Sequence, residues 1–149
     1  VFNTLFTNFT IVAAACPANG GHIALEWPHA CSYWSLDSVR SFVGTYALEN
    51  YDFDGCMYEL RSGAESTLGQ PIKKPWRIAS DMPQFSNLRR RCTHEPDEHA
   101  PCAGADTKVS EVYTDALATA VHHCFALRGC SVCSGGSFRP VVDNYVVDC

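Results

Sequence analysis

The stretch Gly20-Gly21-His22-Ile23-Ala24-Leu25-Glu26-Trp27-Pro28 decides the expected fold class. His22 to Leu25 form a short apolar run without alternation, the pattern of a strand buried in a parallel sheet. Pro28 cannot continue a central strand, so the run is expected to stop at Glu26-Trp27-Pro28. Upstream, Leu5, Phe9, Val12 and Cys16 follow helical spacing and predict an amphipathic helix over 3–15, ended by Pro17 and the Gly20-Gly21 pair. Downstream, Ser35 or Asp37 can cap a helix with Val39, Phe42, Val43 and Tyr46 on one face. Residues 51–60 read as a second strand, with Gly55 marking a bulge or a close backbone approach. Residues 61–71 read as a loop and Trp76 to Ser80 as a third strand. Asp81 is expected to cap a helix over 83–91, and Thr114 a last one reaching about Leu127. Residues 92–112 read as irregular, and Val141 to Val147 as an edge strand. This order predicts an α/β fold: a small, partly parallel, truncated Rossmann-like sheet flanked by helices, with an irregular Cys/His-rich segment. The expected organisation is one α/β domain over 1–123, containing the Cys/His segment 92–104, and a Cys-rich tail over 124–149.

Composition agrees with one packed domain. The chain has 149 residues, 46% of them hydrophobic and 18% charged, which disfavours wholesale disorder. Its longest apolar run, Ile11 to Cys16, falls far short of the roughly 18 residues of a membrane span. No basic start followed by an apolar stretch and a small-residue cleavage site is visible, so an intracellular home, cytoplasmic or nuclear, is expected. Nine cysteines leave one unpaired in a monomer. Cys16, Cys31 and Cys56 read as ordinary buried thiols. A reducing compartment is the favoured reading, and a small secreted protein with several disulfides the competing one.

Three groups of residues carry candidate chemistry. The sharpest is C-x-H-x4-H-x2-C, formed by Cys92, His94, His99 and Cys102, whose two thiolates and two imidazoles match the tetrahedral set that zinc prefers. Four such ligands make the expected site structural, with Asp97 and Glu98 as supports for the histidines. A weaker set joins Cys124 to the C-x2-C pair Cys130 and Cys133, with His122, His123 or Cys149 to complete it. The second group is basic. Lys73, Lys74, Arg77, Arg89, Arg90 and Arg91, opposed by Asp81, give residues 73–91 a net +5 in a chain of net −5. Such a window can grip nucleic-acid phosphates, or it is a solvated face. The third is Glu26. A carboxylate at the end of a buried strand is costly unless used or paired, so Glu26 is a catalytic or ligand-holding candidate, or else a structural acceptor of backbone N–H groups. Trp27, with Tyr33 and Trp34, offers a stacking surface for a base or simply roofs the core. No G-x-G-x-x-G after a strand, G-x4-G-K-[ST], G-x-S-x-G or H-E-x-x-H motif is present.

The succession Gly20 to Pro28, Cys31, Tyr33-Trp34, Phe53-Asp54-Gly55-Cys56-Met57-Tyr58, Lys73-Lys74-Pro75-Trp76-Arg77-Ile78, Cys92 to Gly104 and Tyr113-Thr114 resembles a domain of retrotransposon-like polyproteins of dinoflagellate algae. The resemblance spans about residues 1–123. That domain in turn distantly resembles the second half of a cytosine-type DNA methyltransferase. This implies that Glu26 matches the glutamate that holds the pyrimidine ring of a flipped base. It implies that residues 53–58 and 73–78 match later strands near the target. Such enzymes carry a Gly-rich S-adenosylmethionine loop and a Pro-Cys nucleophile ahead of the glutamate strand. Here Cys16-Pro17 has the reverse order and Pro101-Cys102 lies downstream. Glu59 stands where a glycine is expected. The resemblance therefore implies a truncated piece without an S-adenosylmethionine site and without methyltransferase activity as a lone chain. A non-catalytic zinc-binding interaction module is the alternative.

Overall fold

A computed structural model describes residues 1–127. Three strands, β1 (Ala24–Pro28), β2 (Glu49–Asp54) and β3 (Pro75–Ser80), form one sheet in the order β1-β3-β2. Both pairings are antiparallel, with Glu26 opposite Ile78 and Phe53 opposite Trp76. This corrects the partly parallel, Rossmann-like expectation, while the α/β class stands. The physical reason lies in the crossover. Helix α2 (Asp37–Thr45) joins β1 to β2, and these two strands do run the same way. However, β3 returns from the long connection after β2 and inserts between them, giving a split β-α-β arrangement. β1 therefore lies at the sheet edge, where a proline is tolerated, and the strand includes Glu26 and Trp27 and ends at Pro28.

Side-chain alternation gives the sheet two buried faces. Tyr51, Phe53, Trp76 and Ile78 point to one face. There they pack with Tyr58, Leu60, Ile72, Met82, Phe85, Leu88, and with Leu117 and Cys124 of α4 (Asp115–Ala126). Leu25 and Ala79 point to the other face, under α2 and α1 (Phe2–Ala18). α1 is present, but it runs through Pro17 to Ala18 instead of ending at the proline, and its inward face is Phe2, Phe6, Phe9, Ala13 and Cys16. Leu5 and Val12 are exposed. The three phenylalanine rings pack tilted or edge-on against Trp27, Tyr33 and Phe42, and rings bury more apolar surface than a leucine or valine can. α2 turns Val39 and Phe42 inward as its periodicity predicts.

Thr114 caps α4 by accepting the Leu117 N–H. Asp81 caps nothing. It accepts the Ile23 N–H and pairs with His22 Nδ1 at 2.8 Å, and the expected 83–91 helix is a 3-10 segment, Pro83–Leu88. A short helix α3 (Ala105–Val109) interrupts the segment expected to be irregular. The second strand also ends early, at Asp54, because residues Gly55–Tyr58 turn into 3-10 geometry. Gly55 does mark a close backbone approach. Its N–H points at the carbonyls of Lys73 and Lys74, at 3.2 and 2.9 Å. A Cβ there would lie 2.8 Å from Leu60 Cδ2 and 3.0 Å from the Trp76 ring.

Gly55→Ala is accordingly expected to overpack this contact and cost about 1–3 kcal/mol, read as a lower urea midpoint at unchanged slope. An unchanged midpoint would mean that the turn has room to move.

Candidate metal centre

Four side chains from two distant parts of the chain converge at the end of β2. Cys56, buried on the turn after Gly55, meets Cys92, His94 and His99, and their ligand atoms all lie within 4.8 Å of one another. The Cys92 sulfur is 3.3 Å from His94 Nδ1 and 3.2 Å from His99 Nε2. Tetrahedral coordination with ordinary zinc–sulfur and zinc–nitrogen bonds gives edges of about 3.3–3.8 Å, so these separations suit a single small ion.

Local structure explains the convergence. Asp54, itself buried, accepts the Cys92 N–H at 2.8 Å. Its own N–H donates to the Arg90 carbonyl at 3.0 Å. One residue thus seats Cys92 beside the neighbouring turn that carries Cys56. The histidines bracket the 3-10 turn Pro96–Glu98, closed by a capping box in which Glu98 Oε2 accepts the Glu95 N–H at 2.7 Å. Their rings stand at 90° with centroids 5.5 Å apart. Asp97 and Glu98, expected to support the histidines, lie on this turn, where Glu98 serves the backbone. The His94 backbone N–H also donates to the Cys92 sulfur at 3.4 Å. Burial, with Cys92 alongside, pushes the Cys56 thiol up to about 12. Two adjacent thiols cannot both ionise cheaply without a cation, and a bound ion reverses that balance.

Cys102, expected as the fourth member, is replaced by Cys56. The Ala100 N–H donates to the Pro71 carbonyl at 2.9 Å and the Ala100 side chain is buried. Beyond that anchor Cys102 turns to Ser110, donating to its Oγ at 3.2 Å. Nothing in linear spacing ties position 56 to position 92. The weaker set is not assembled among the described residues. Cys124 is buried in the main core while His122 and His123 are exposed, and Cys130, Cys133, Cys149 and the strand expected over 141–147 lie outside the described residues. The described cysteines, Cys16, Cys31, Cys56, Cys92, Cys102 and Cys124, are all free thiols.

The basic window is mostly occupied within the chain. Arg77 makes two bonds to Asp52, at 2.7 and 3.0 Å, and these hold the Asp52 carboxyl below its usual range. Lys74 donates to the Ser110 carbonyl at 2.6 Å. Arg89 reaches the Asn50 carbonyl at 2.9 Å and covers the Tyr51 ring, and Arg90 covers Tyr58. Arg91 sits 3.5 Å from Asp54 and 4.0 Å from Asp52. The Lys73 ammonium has no partner among the described residues. Trp27 packs edge-on against Tyr33 and Trp34. Comparisons with protein-family models, with curated proteins and with solved structures find no match for this chain.

Glu26 lies on the main-core face at the edge strand. Tyr113 donates its hydroxyl to Oε2, while Oε1 is buried without a hydrogen-bond partner among the described residues. Burial raises the Glu26 carboxyl above the usual range, against the lowering effects of Tyr113 and Lys74. Burial, and then Glu26, push the Tyr113 hydroxyl up. A carboxyl raised by folding adds stability below its unfolded value, and that contribution is lost as pH rises through the folded value. Glu26→Gln mimics the protonated form. It is expected to match the parent's melting temperature at pH 4 and to exceed it at pH 7. A variant that melts lower at pH 7 would mean that the carboxylate is a net structural bond.

Proposed function

We propose that this chain is a non-catalytic zinc-binding interaction module of a mobile-element polyprotein, in which Cys56, Cys92, His94 and His99 hold one structural zinc ion. The convergence of these four ligand atoms carries the reading. Two sulfurs and two imidazole nitrogens within 4.8 Å of one another suit zinc, and four protein ligands leave no open position for water or substrate. The ion also has work to do in the fold. No side chain in residues 89–99 is buried, so this segment gains little from the core and needs another anchor. The polyprotein context rests on the succession of sequence motifs.

Elemental mass spectrometry of the purified protein is expected to find one zinc per chain. Cys56→Ser and Cys92→Ser should lose it, and Cys102→Ser should keep it. Loss in Cys102→Ser with retention in Cys56→Ser would restore the set spaced in sequence, and no zinc in the parent protein would overturn the reading.

A second reading, the truncated methyltransferase-like remnant, is supported by the partnerless Glu26 Oε1. In it Glu26 holds the polar edge of a heterocyclic base beside Tyr113. Cytidine should then quench tryptophan fluorescence saturably, and folded Glu26→Gln should lose that response. No response in the parent would remove this reading.

A further inference from the structure

A cavity of about 340 Å³ opens beside the metal centre, lined by His29, Asp54, Lys73, Pro75, Arg91 and Cys92. Three of these six carry cationic or protonatable nitrogen groups, and they come from three separate stretches of chain. The backbone fixes them. The carbonyls of Lys73 and Lys74 both face the Gly55 N–H, and the His29 N–H donates to the Pro75 carbonyl at 3.0 Å. Arg91 directly precedes Cys92, whose amide Asp54 holds.

The local carboxylates are already engaged. Asp54, almost fully buried, directs one oxygen to the Cys92 amide and the other toward Arg91 at 3.5 Å. Asp52 is taken in fork geometry by Arg77, leaving His29 Nε2 at 3.5 Å and Arg91 at 4.0 Å, both long for strong pairing. The Lys73 ammonium pairs with nothing among the described residues. Two thiolates around a divalent ion are neutral in sum, so a loaded centre adds no repulsion for an anion. The net charge of the cavity wall is positive: Arg91 meets Asp54, and Lys73 is left over.

We infer that this cavity binds an oxyanion of phosphate type, held by Lys73, Arg91 and His29. A charged donor cluster around a concavity suits such a group. Free phosphate and the backbone of a nucleic-acid strand share this chemistry. The inference rests on the metal-centre reading through Cys92, which belongs to both the ion cluster and the cavity wall.

The test is a calorimetric and NMR titration of the full chain, its zinc content measured first, with inorganic phosphate and separately with a short single-stranded oligonucleotide at two salt concentrations. Saturable phosphate binding is expected, with amide shifts at His29, Lys73 and Arg91. Lys73→Gln, a surface change with no partner to lose, should weaken it about tenfold or more. Arg89→Gln, outside the cavity wall, should leave it unchanged. Tighter, salt-sensitive binding of the oligonucleotide through the same residues would identify a nucleic-acid strand as the source. Equal or weaker binding would identify a free phosphate group. No binding of either probe to zinc-loaded protein, or equal affinity in Lys73→Gln, overturns the inference and leaves the zinc reading intact. Binding by a protein that contains no zinc would sink the zinc reading alone.

Discussion

The tripeptide Asp54-Gly55-Cys56 is the point on which the structure turns. Gly55 brings its backbone against the Trp76 ring and Leu60, with its N–H aimed at the carbonyls of Lys73 and Lys74. Only a residue without a side chain fits there. That contact ends β2, starts the turn that presents Cys56, and holds residues 73–74 at the entrance to β3. On one side of it, Asp54 holds the Cys92 amide. On the other, Cys56 offers its sulfur. Core, Cys/His cluster and cavity wall thus share a single backbone position.

The two faces of the sheet divide the work. The face under α1 and α2 is filled by aromatic rings and carries little chemistry beyond the Asp52–Arg77 pair at its open end. The other face packs Trp76, Phe53 and Tyr58 under α4, and its rim carries Glu26 and Tyr113. Most of the basic side chains that stand out in the sequence serve as braces. Arg77 ties β3 to β2 through Asp52, Lys74 holds the end of α3 at Ser110, and Arg89 and Arg90 lie over tyrosine rings. A run of positive charge in a sequence therefore says little about a surface until its partners are known, since buried or half-buried carboxylates and carbonyls capture long cationic side chains readily.

Much of the local structure was legible. The helical face of Val39 and Phe42, the Thr114 cap, the third strand and the close approach at Gly55 all follow from periodicity or from the stereochemistry of single residues. The differences have separate causes. The helix between β1 and β2 signalled two strands running the same way, which they do, yet adjacency was decided by a segment more than twenty residues later. On α1, Leu5 and Val12 had the right spacing, but the phenylalanine rings at 2, 6 and 9 won the inward face because they bury more area. Three of the four clustered Cys and His side chains, Cys92, His94 and His99, were visible as a local pattern. The fourth was not, because Cys102 lies beyond the Ala100 anchor while Cys56 arrives from the opposite end of the core.

By itself, then, the sequence determined the α/β class, the order of α1, β1, α2, β2 and β3, the inward face of α2, and a Cys/His cluster centred on residues 92–99. Tertiary structure alone decided the antiparallel strand order, the exchange of Cys102 for Cys56, and which cations remain free to face solvent. The physical reason is range. Periodicity and capping record how each segment meets its nearest neighbours along the chain, whereas strand adjacency, ligand convergence and charge pairing depend on groups dozens of residues apart, brought together only when both faces of the sheet are buried.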